Sequence, residues 1–177
     1  MKSYLEWLYE DEEKLNEASL GRFIQHMENN EPFAIISAYR YGEKKSVNNA
    51  ATNRMRSEIM SAGFGFHKAM GGYVYNGTDI DSEKSSIVYG TKETEKKLRT
   101  LVFELGAKYK QQSVLWCGSD GNAIWRYTST FWDQDVEPPV QRHIGDVKPL
   151  GKFVPTKIGE YYSRIGKKQF TFRSIED

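Results

Sequence analysis

The strongest constraint on this chain is an alternation. Between Phe33 and Tyr127, short apolar runs and amphipathic helical patterns follow one another in the order β-α-β-β-α-β. Phe33 to Arg40 is apolar and aromatic, and short enough for a buried strand. Asn49 to Ala62 carries Ala51, Met55 and Ile59 every fourth residue and meets Gly63, a helix with a glycine at its carboxyl end. Phe64 to Tyr75, broken by Gly71-Gly72, and Lys84 to Tyr89 read as two strands around an Asn76-Gly77-Thr78-Asp79 turn. Thr91 to Leu105 reads as a helix with Leu98, Leu101, Val102 and Leu105 inward, stopped by Gly106. Ser113 to Trp116 and Asn122 to Tyr127 close the series around Ser119-Asp120-Gly121. The expected fold is therefore α+β: a ferredoxin-like sandwich over 33–127, with two helices on one face of an antiparallel sheet.

The flanks divide the rest. Residues 1–17 form an acidic amphipathic leader, with a helix expected over 3–15 that aligns Tyr4, Leu5, Leu8 and Leu15. Ala18 to Asn29 is a second helix with Leu20, Phe23, Ile24 and Met27 as its stripe and Ser19 as a candidate cap, so the core unit is 18–127. Residues 128–177 hold Pro138-Pro139 and Pro149 and read as a loop-rich extension. Within it a short helix is expected from Pro155 through Ile158, Tyr161 and Tyr162, and a last strand over Phe170 to Phe172. At 177 residues the chain suits one hydrophobic core with appendages.

Charge separates along the same boundary. The leader carries a net −4 and the remainder +5, scattered rather than gathered in the basic stripe that nucleic-acid binding calls for. No apolar run approaches the length needed to cross a bilayer, and the first residues lack the apolar core of a secretion signal. Cys117 is the sole cysteine, which excludes an internal disulfide and a cysteine-built zinc site, and fits a reducing cytoplasm. His26, His67 and His143 fall in three separate segments, where packing or exposure accounts for them better than metal ligation. Phosphate-loop, zincin and nucleophile-elbow motifs are missing. Trp116, Trp125, Phe131 and Trp132 crowd near the closing strands, more aromatic surface than one small sheet face hides, which points to a homo-oligomer.

Three local patterns stand out together: Ile36-Ser37-Ala38-Tyr39-Arg40, Gly72-Tyr73, and Ser82-Glu83-Lys84-Ser85. With Asn48, Asn49 and Asn53 in the intervening loop and Gln112 to Leu115 as a later strand, Phe33 to Ala123 resembles the phage enzymes long called S-adenosylmethionine hydrolases and now regarded as lyases. A related bacterial domain of unknown function shares the pattern. The resemblance implies S-adenosylmethionine as a small-molecule substrate, no cofactor and no metal, and a trimer with sites between subunits. It implies contact with the sulfonium substrate for Tyr73 and Glu83, which here stand one residue closer together than in the family pattern. Each also has an ordinary reading, as a half-buried strand tyrosine and as a turn carboxylate. Ser37, Tyr39 and Arg40, at the carboxyl end of the first strand, are candidates to line the pocket. Arg40 either clamps a carboxylate in a forked pair or ties its loop down.

Met1-Lys2-Ser3-Tyr4-Leu5-Glu6-Trp7-Leu8 is similar to the capsid-targeting starts of internal head proteins of T-even-type phages. Those leaders are trimmed after an [LI]-x-E site, matched by Leu15-Asn16-Glu17 before Ala18 and also by Leu8-Tyr9-Glu10. An amphipathic helix docked on the domain or on a neighbour would show the same pattern. Two functions follow from these resemblances. One is an enzyme of the host cytoplasm that destroys S-adenosylmethionine and starves methyl-dependent restriction. The other is a non-catalytic protein, packaged in the phage head and ejected with DNA, that inhibits a host factor by contact.

Overall fold

The computed structural model describes residues 19–134, 136–156 and 161–173. Among the described residues, three helices, α1 (19–28), α2 (Lys45–Ser61) and α3 (Glu95–Lys108), accompany eleven strands. These are β1 (Phe33–Ser37), β2 (Gly65–Tyr75), β3 (Thr78–Tyr89), β4 (Ser113–Cys117), β5 (Ala123–Tyr127), β6 (Phe131–Asp133), β7 (Val140–Arg142), β8 (Val147–Pro149), β9 (Lys152–Val154), β10 (Tyr161–Ile165) and β11 (Lys168–Arg173). Nine of them make one antiparallel sheet in the order β8-β5-β4-β1-β3-β2-β10-β11-β9, while β6 and β7 pair apart from it. The fold is mixed α/β and mostly strand, well beyond the four strands of a ferredoxin-like sandwich.

Alternation along the central strands sorts side chains to two faces. Outward, Ala34 and Ile36 of β1, Val88 of β3, and Val114 and Trp116 of β4 pack beneath Met55 and Ile59 of α2 and Leu98, Val102 and Leu105 of α3. Inward, Phe33, Ile35, Ile87, Leu115 and Cys117 join Ile165 and Phe170 from the far strands. The sheet curls far enough for Phe33 of β1 and Phe172 of β11 to stand 6.1 Å apart, ring to ring. Phe23 of α1, fully buried, fills that curl, with its ring 5.0 Å from both Phe33 and Phe170 and 5.7 Å from Phe153. The 18–29 stripe thus belongs to the inner core.

Several expected elements differ. Gly106 does not stop the second core helix: α3 runs through it to Lys108, and a Cβ there would stand 2.8 Å from Val114 Cγ2 and 2.9 Å from Thr128 Cγ2. The missing side chain serves close helix-to-sheet approach, and the chain turns at Lys110, whose φ is +56°. The first core helix begins at Lys45 rather than Asn49, and β3 begins at Thr78 rather than Lys84. Ser19 is already helical, so it does not cap α1. Tyr161 and Tyr162 lie on a strand and not in a helix, since β10 completes the edge of β2 by pairing Tyr161 with Tyr73 and Tyr162 with Gly72. Ile158 and the leader lie outside the described residues. Among its described residues, the extension expected to be loop-rich holds six strands, β6 to β11. The aromatic surplus near the closing strands is largely absorbed: Trp116 is 5 % exposed, Phe131 packs on Tyr127 at 5.4 Å, Trp125 is part-buried, and Trp132 is 58 % exposed.

Candidate functional site

The inner face turns polar where β1 ends. Phe33, Ile35 and Ser37 stand opposite Tyr89, Ile87 and Ser85 of β3, and Glu83 continues that inward series. Apolar packing gives way there to Ser37, Ser85 and Glu83, which line one cavity of about 710 Å³. The Ser37 hydroxyl accepts from the Tyr39 amide at 2.9 Å and donates to the Lys84 carbonyl at 2.9 Å, pinning β1 to β3 beside the carboxylate. From the helix side, Arg56 of α2 donates Nε to Ser86 Oγ and Nη2 to the Ser85 carbonyl, each at 2.9 Å. The floor of the cavity is thereby held from both sides.

Glycine makes the room. Gly71 faces Glu83 across the ladder, and a Cβ at Gly71 would lie 3.1 Å from Glu83 Cγ and 3.3 Å from its Oε1. The register then shifts, so that Ser82 is an extra residue on β3, a bulge of the kind that re-aims side chains. Past it, Gly72 lies under the ring of Tyr162, whose hydroxyl oxygen would be 2.5 Å from a Cβ at that position. Tyr41, Tyr73, Tyr161, Tyr162 and Trp125 supply aromatic walls, and Tyr41 and Tyr161 are exposed at its margin.

Among the described residues lining this cavity, Glu83 is the only charged side chain. Burial raises its carboxyl above the ordinary range, and the nearby Ser37 hydroxyl offsets part of that. A carboxylate kept from water inside aromatic walls favours a cation of matching size, which would restore the charged form and offer its apolar surface to the rings.

Of the residues singled out in the sequence, Ser37, Tyr73 and Glu83 meet at this cavity. Arg40 does not: its guanidinium is 47 % exposed, 3.8 Å from Glu43, in a separate hollow with Arg54, Glu58 and Lys108. Its backbone is held instead, with Asn48 accepting from its amide at 2.8 Å and donating to its carbonyl at 3.0 Å. The chain leaves the sheet after Ser37, so strand alternation no longer governs Tyr39 and Arg40. Tyr39 contributes its carbonyl to Gln111 Nε2 at 3.0 Å and is not among the lining residues. Leu15, Glu17 and Ala18 lie outside the described residues.

Tyr161, Tyr162 and Trp125 also line this cavity, and no sequence expectation named them for it. A signal existed: Tyr161 to Ile165 and Lys168 to Arg173 flank Gly166-Lys167, a hairpin pattern with Gly166 at φ +57°. Two of the histidines pack on one tyrosine, with the His26 and His67 rings 4.8 and 5.0 Å from Tyr89. Among the described residues, no group of three His, Cys, Asp or Glu side chains could hold a metal.

The model of the S-adenosylmethionine lyase family matches residues 34–174, from β1 through β11, so the strands that bring Tyr161 and Tyr162 fall within it. A search of curated proteins found no match.

Proposed function

Because the chain belongs to the S-adenosylmethionine lyase family, we propose that the Glu83 cavity binds S-adenosylmethionine and that the protein degrades it to methylthioadenosine and homoserine lactone. The observation that carries this reading is the lone carboxylate among aromatic walls. The substrate bears two cations, a sulfonium and an ammonium, with an apolar chain between them. Tyr73 is assigned to the sulfonium, where a ring face attracts a cation by about 0.5–2 kcal/mol. Glu83 is assigned to the ammonium, a charge-assisted contact stronger than a neutral one.

The chemistry then asks for position more than for a reagent. The substrate's own carboxylate oxygen attacks the γ-carbon bound to sulfur, the new C–O bond closes a lactone, and the C–S bonding pair leaves with sulfur as neutral methylthioadenosine. No proton changes hands, and the ammonium stays charged on the lactone. Glu83 holds the ammonium and so turns the neighbouring carboxylate toward the γ-carbon, which is a positional contribution. Attack of an anion beside a cation disperses charge, and a pocket with little water favours that step.

Within the larger sheet, the β4-β1-β3-β2 order with α2 and α3 on one face supports reading a ferredoxin-like unit that carries the site. The exposed rings of Tyr41, 104 %, and Tyr161, 60 %, support a second copy covering the mouth. Loss of S-adenosylmethionine would starve methyl-dependent restriction, the cellular role assigned here. The test is incubation of the pure protein with S-adenosylmethionine followed by chromatography. Methylthioadenosine and homoserine lactone in equal amounts are expected, and neither product would overturn the enzyme in favour of a protein that acts by contact.

A further inference from the structure

Positive charge that is scattered along the sequence gathers at one place in the fold. Arg40 follows β1, Arg54 stands on α2, and Lys108 and Lys110 lie at the end of α3; all four line one hollow of about 340 Å³. Its carboxylates among the described residues are Glu43 and Glu58, which leaves a net charge of +2. Glu58 is already occupied, since Oε2 accepts from Lys108 Nζ at 2.8 Å and Oε1 from the Tyr109 hydroxyl at 2.5 Å. Glu43 is 41 % exposed and comes no nearer to Arg40 than 3.8 Å, beyond hydrogen-bond length. Among the described residues these are the hollow's two ion pairs, one tight and one loose, against four cations.

The backbone beneath the cations is fixed. Asn48, 1 % exposed, accepts from the Arg40 amide at 2.8 Å and donates to the Arg40 carbonyl at 3.0 Å. Gln111 Nε2 donates to the Tyr39 carbonyl at 3.0 Å and to the Tyr109 carbonyl at 3.2 Å, which ties the segment before Arg40 to the segment around Lys110. Lys110 closes α3, its amide on the Ala107 carbonyl at 3.1 Å and the Gln111 amide on the Gly106 carbonyl at 2.9 Å. Glycine is the usual residue at such a turn, and at φ +56° a lysine gives up backbone ease that glycine would keep. In return it adds a fourth cation to the hollow.

Two guanidinium forks and two ammonium groups offer donors to an oxyanion, and arginine forks take phosphate oxygens in paired bonds. A carboxylate brings one charge and two oxygens. A phosphate monoester brings about 1.5–2 negative charges near pH 7 and three acceptor oxygens, which suits both the net charge and the donors. A phosphodiester, with a single charge, leaves the hollow part-neutralised, so the backbone of a nucleic acid fits it less well. We propose that this hollow binds a phosphate dianion, free or as the end group of a small ester, on Arg40, Arg54 and Lys110, while Glu58 holds Lys108 beside them. The site is separate from the Glu83 cavity and does not rest on the reading of that cavity.

Calorimetric titration of the full chain near pH 7.5, at low salt, tests this with inorganic phosphate, ribose 5-phosphate, dimethyl phosphate and malonate. Both arginines are exposed, so Arg40→Gln and Arg54→Gln keep the fold. Each is expected to weaken inorganic phosphate at least fivefold. Lys96→Gln, which removes an exposed cation at the opposite end of α3, should leave it within twofold. Dimethyl phosphate, with one charge, and malonate, a dicarboxylate, are expected to bind wild type at least tenfold more weakly than phosphate. Ribose 5-phosphate binding as tightly as phosphate assigns the hollow to an ester, and binding tenfold more weakly assigns it to the free ion. Absence of binding by both phosphate and ribose 5-phosphate, or a loss with Lys96→Gln equal to that with Arg40→Gln, overturns the site. Equal affinity for dimethyl phosphate or malonate overturns the phosphate dianion as its ligand.

Discussion

The two faces of one sheet have opposite characters. On the helix side, Ala34, Ile36, Val88, Val114 and Trp116 are closed under α2 and α3, and the polar groups buried there are bonded: Thr52 Oγ1 donates to the Asn48 carbonyl at 2.8 Å, and Ser86 Oγ accepts from Arg56. On the inner side, the same strands turn from Phe33 and Ile35 to Ser37, and from Ile87 to Ser85 and Glu83, leaving a cavity around a carboxylate. The helix side is packed throughout, while the inner side is packed at one end around Phe23 and open at the other around Glu83, so changes beneath α2 and α3 should leave the cavity's property in place.

The largest effect expected on the closed face is Leu98→Ala, a fully buried residue of α3. It should cost about 2–5 kcal/mol in denaturant unfolding, while methionine affinity of the folded fraction stays within twofold. A comparable loss of affinity would mean the faces are coupled. Gly72→Val should cost about 1–3 kcal/mol by overpacking, because its side chain must displace the Tyr162 ring, and unlike Leu98→Ala it should also weaken methionine at least tenfold. Smallest in energy, Tyr73→Leu removes an attraction of about 0.5–2 kcal/mol for the sulfonium. It should weaken S-adenosylmethionine up to about thirtyfold and leave the uncharged thioether S-adenosylhomocysteine nearly unaffected, and equal losses for both would remove the cation assignment.

The run from β1 to β4 was legible because its signals are local. Met55 and Ile59 recur at helical spacing, and Asn76-Gly77, at φ +48° and +75°, mark the hairpin. The extension was not legible. β8 is three residues long and exposed throughout, held by pairing with β5 rather than by any pattern of its own. β10 is a strand because β2 offers it an edge some ninety residues earlier, information that no window around Tyr161 contains. For the same reason Tyr73 and Glu83 entered through resemblance, while Tyr162 and Trp125 emerged only from the ladder that places them on one face. Arg40 misled because the strand ends three residues before it.

The central claim is that Glu83 is placed for a cation and at a cost to the empty fold. Burial raises its carboxyl above the usual 4.5, so its contribution to stability is complete below the unfolded-chain value and is lost as pH rises through the folded value. At pH 8, therefore, the ligand-free wild type has lost more of that contribution than at pH 4, a loss that Glu83→Gln does not share. The deciding measurement is paired, thermal midpoint and S-adenosylmethionine turnover of wild type and Glu83→Gln at pH 8, with the midpoints repeated at pH 4. The account predicts a higher midpoint for the variant at pH 8, a smaller or reversed difference at pH 4, and turnover lowered about a hundredfold, roughly 2.7 kcal/mol of lost transition-state stabilisation. A variant with a lower midpoint at pH 8 and undiminished turnover would contradict it, making Glu83 a structural carboxylate and leaving the chemistry to another part of the molecule.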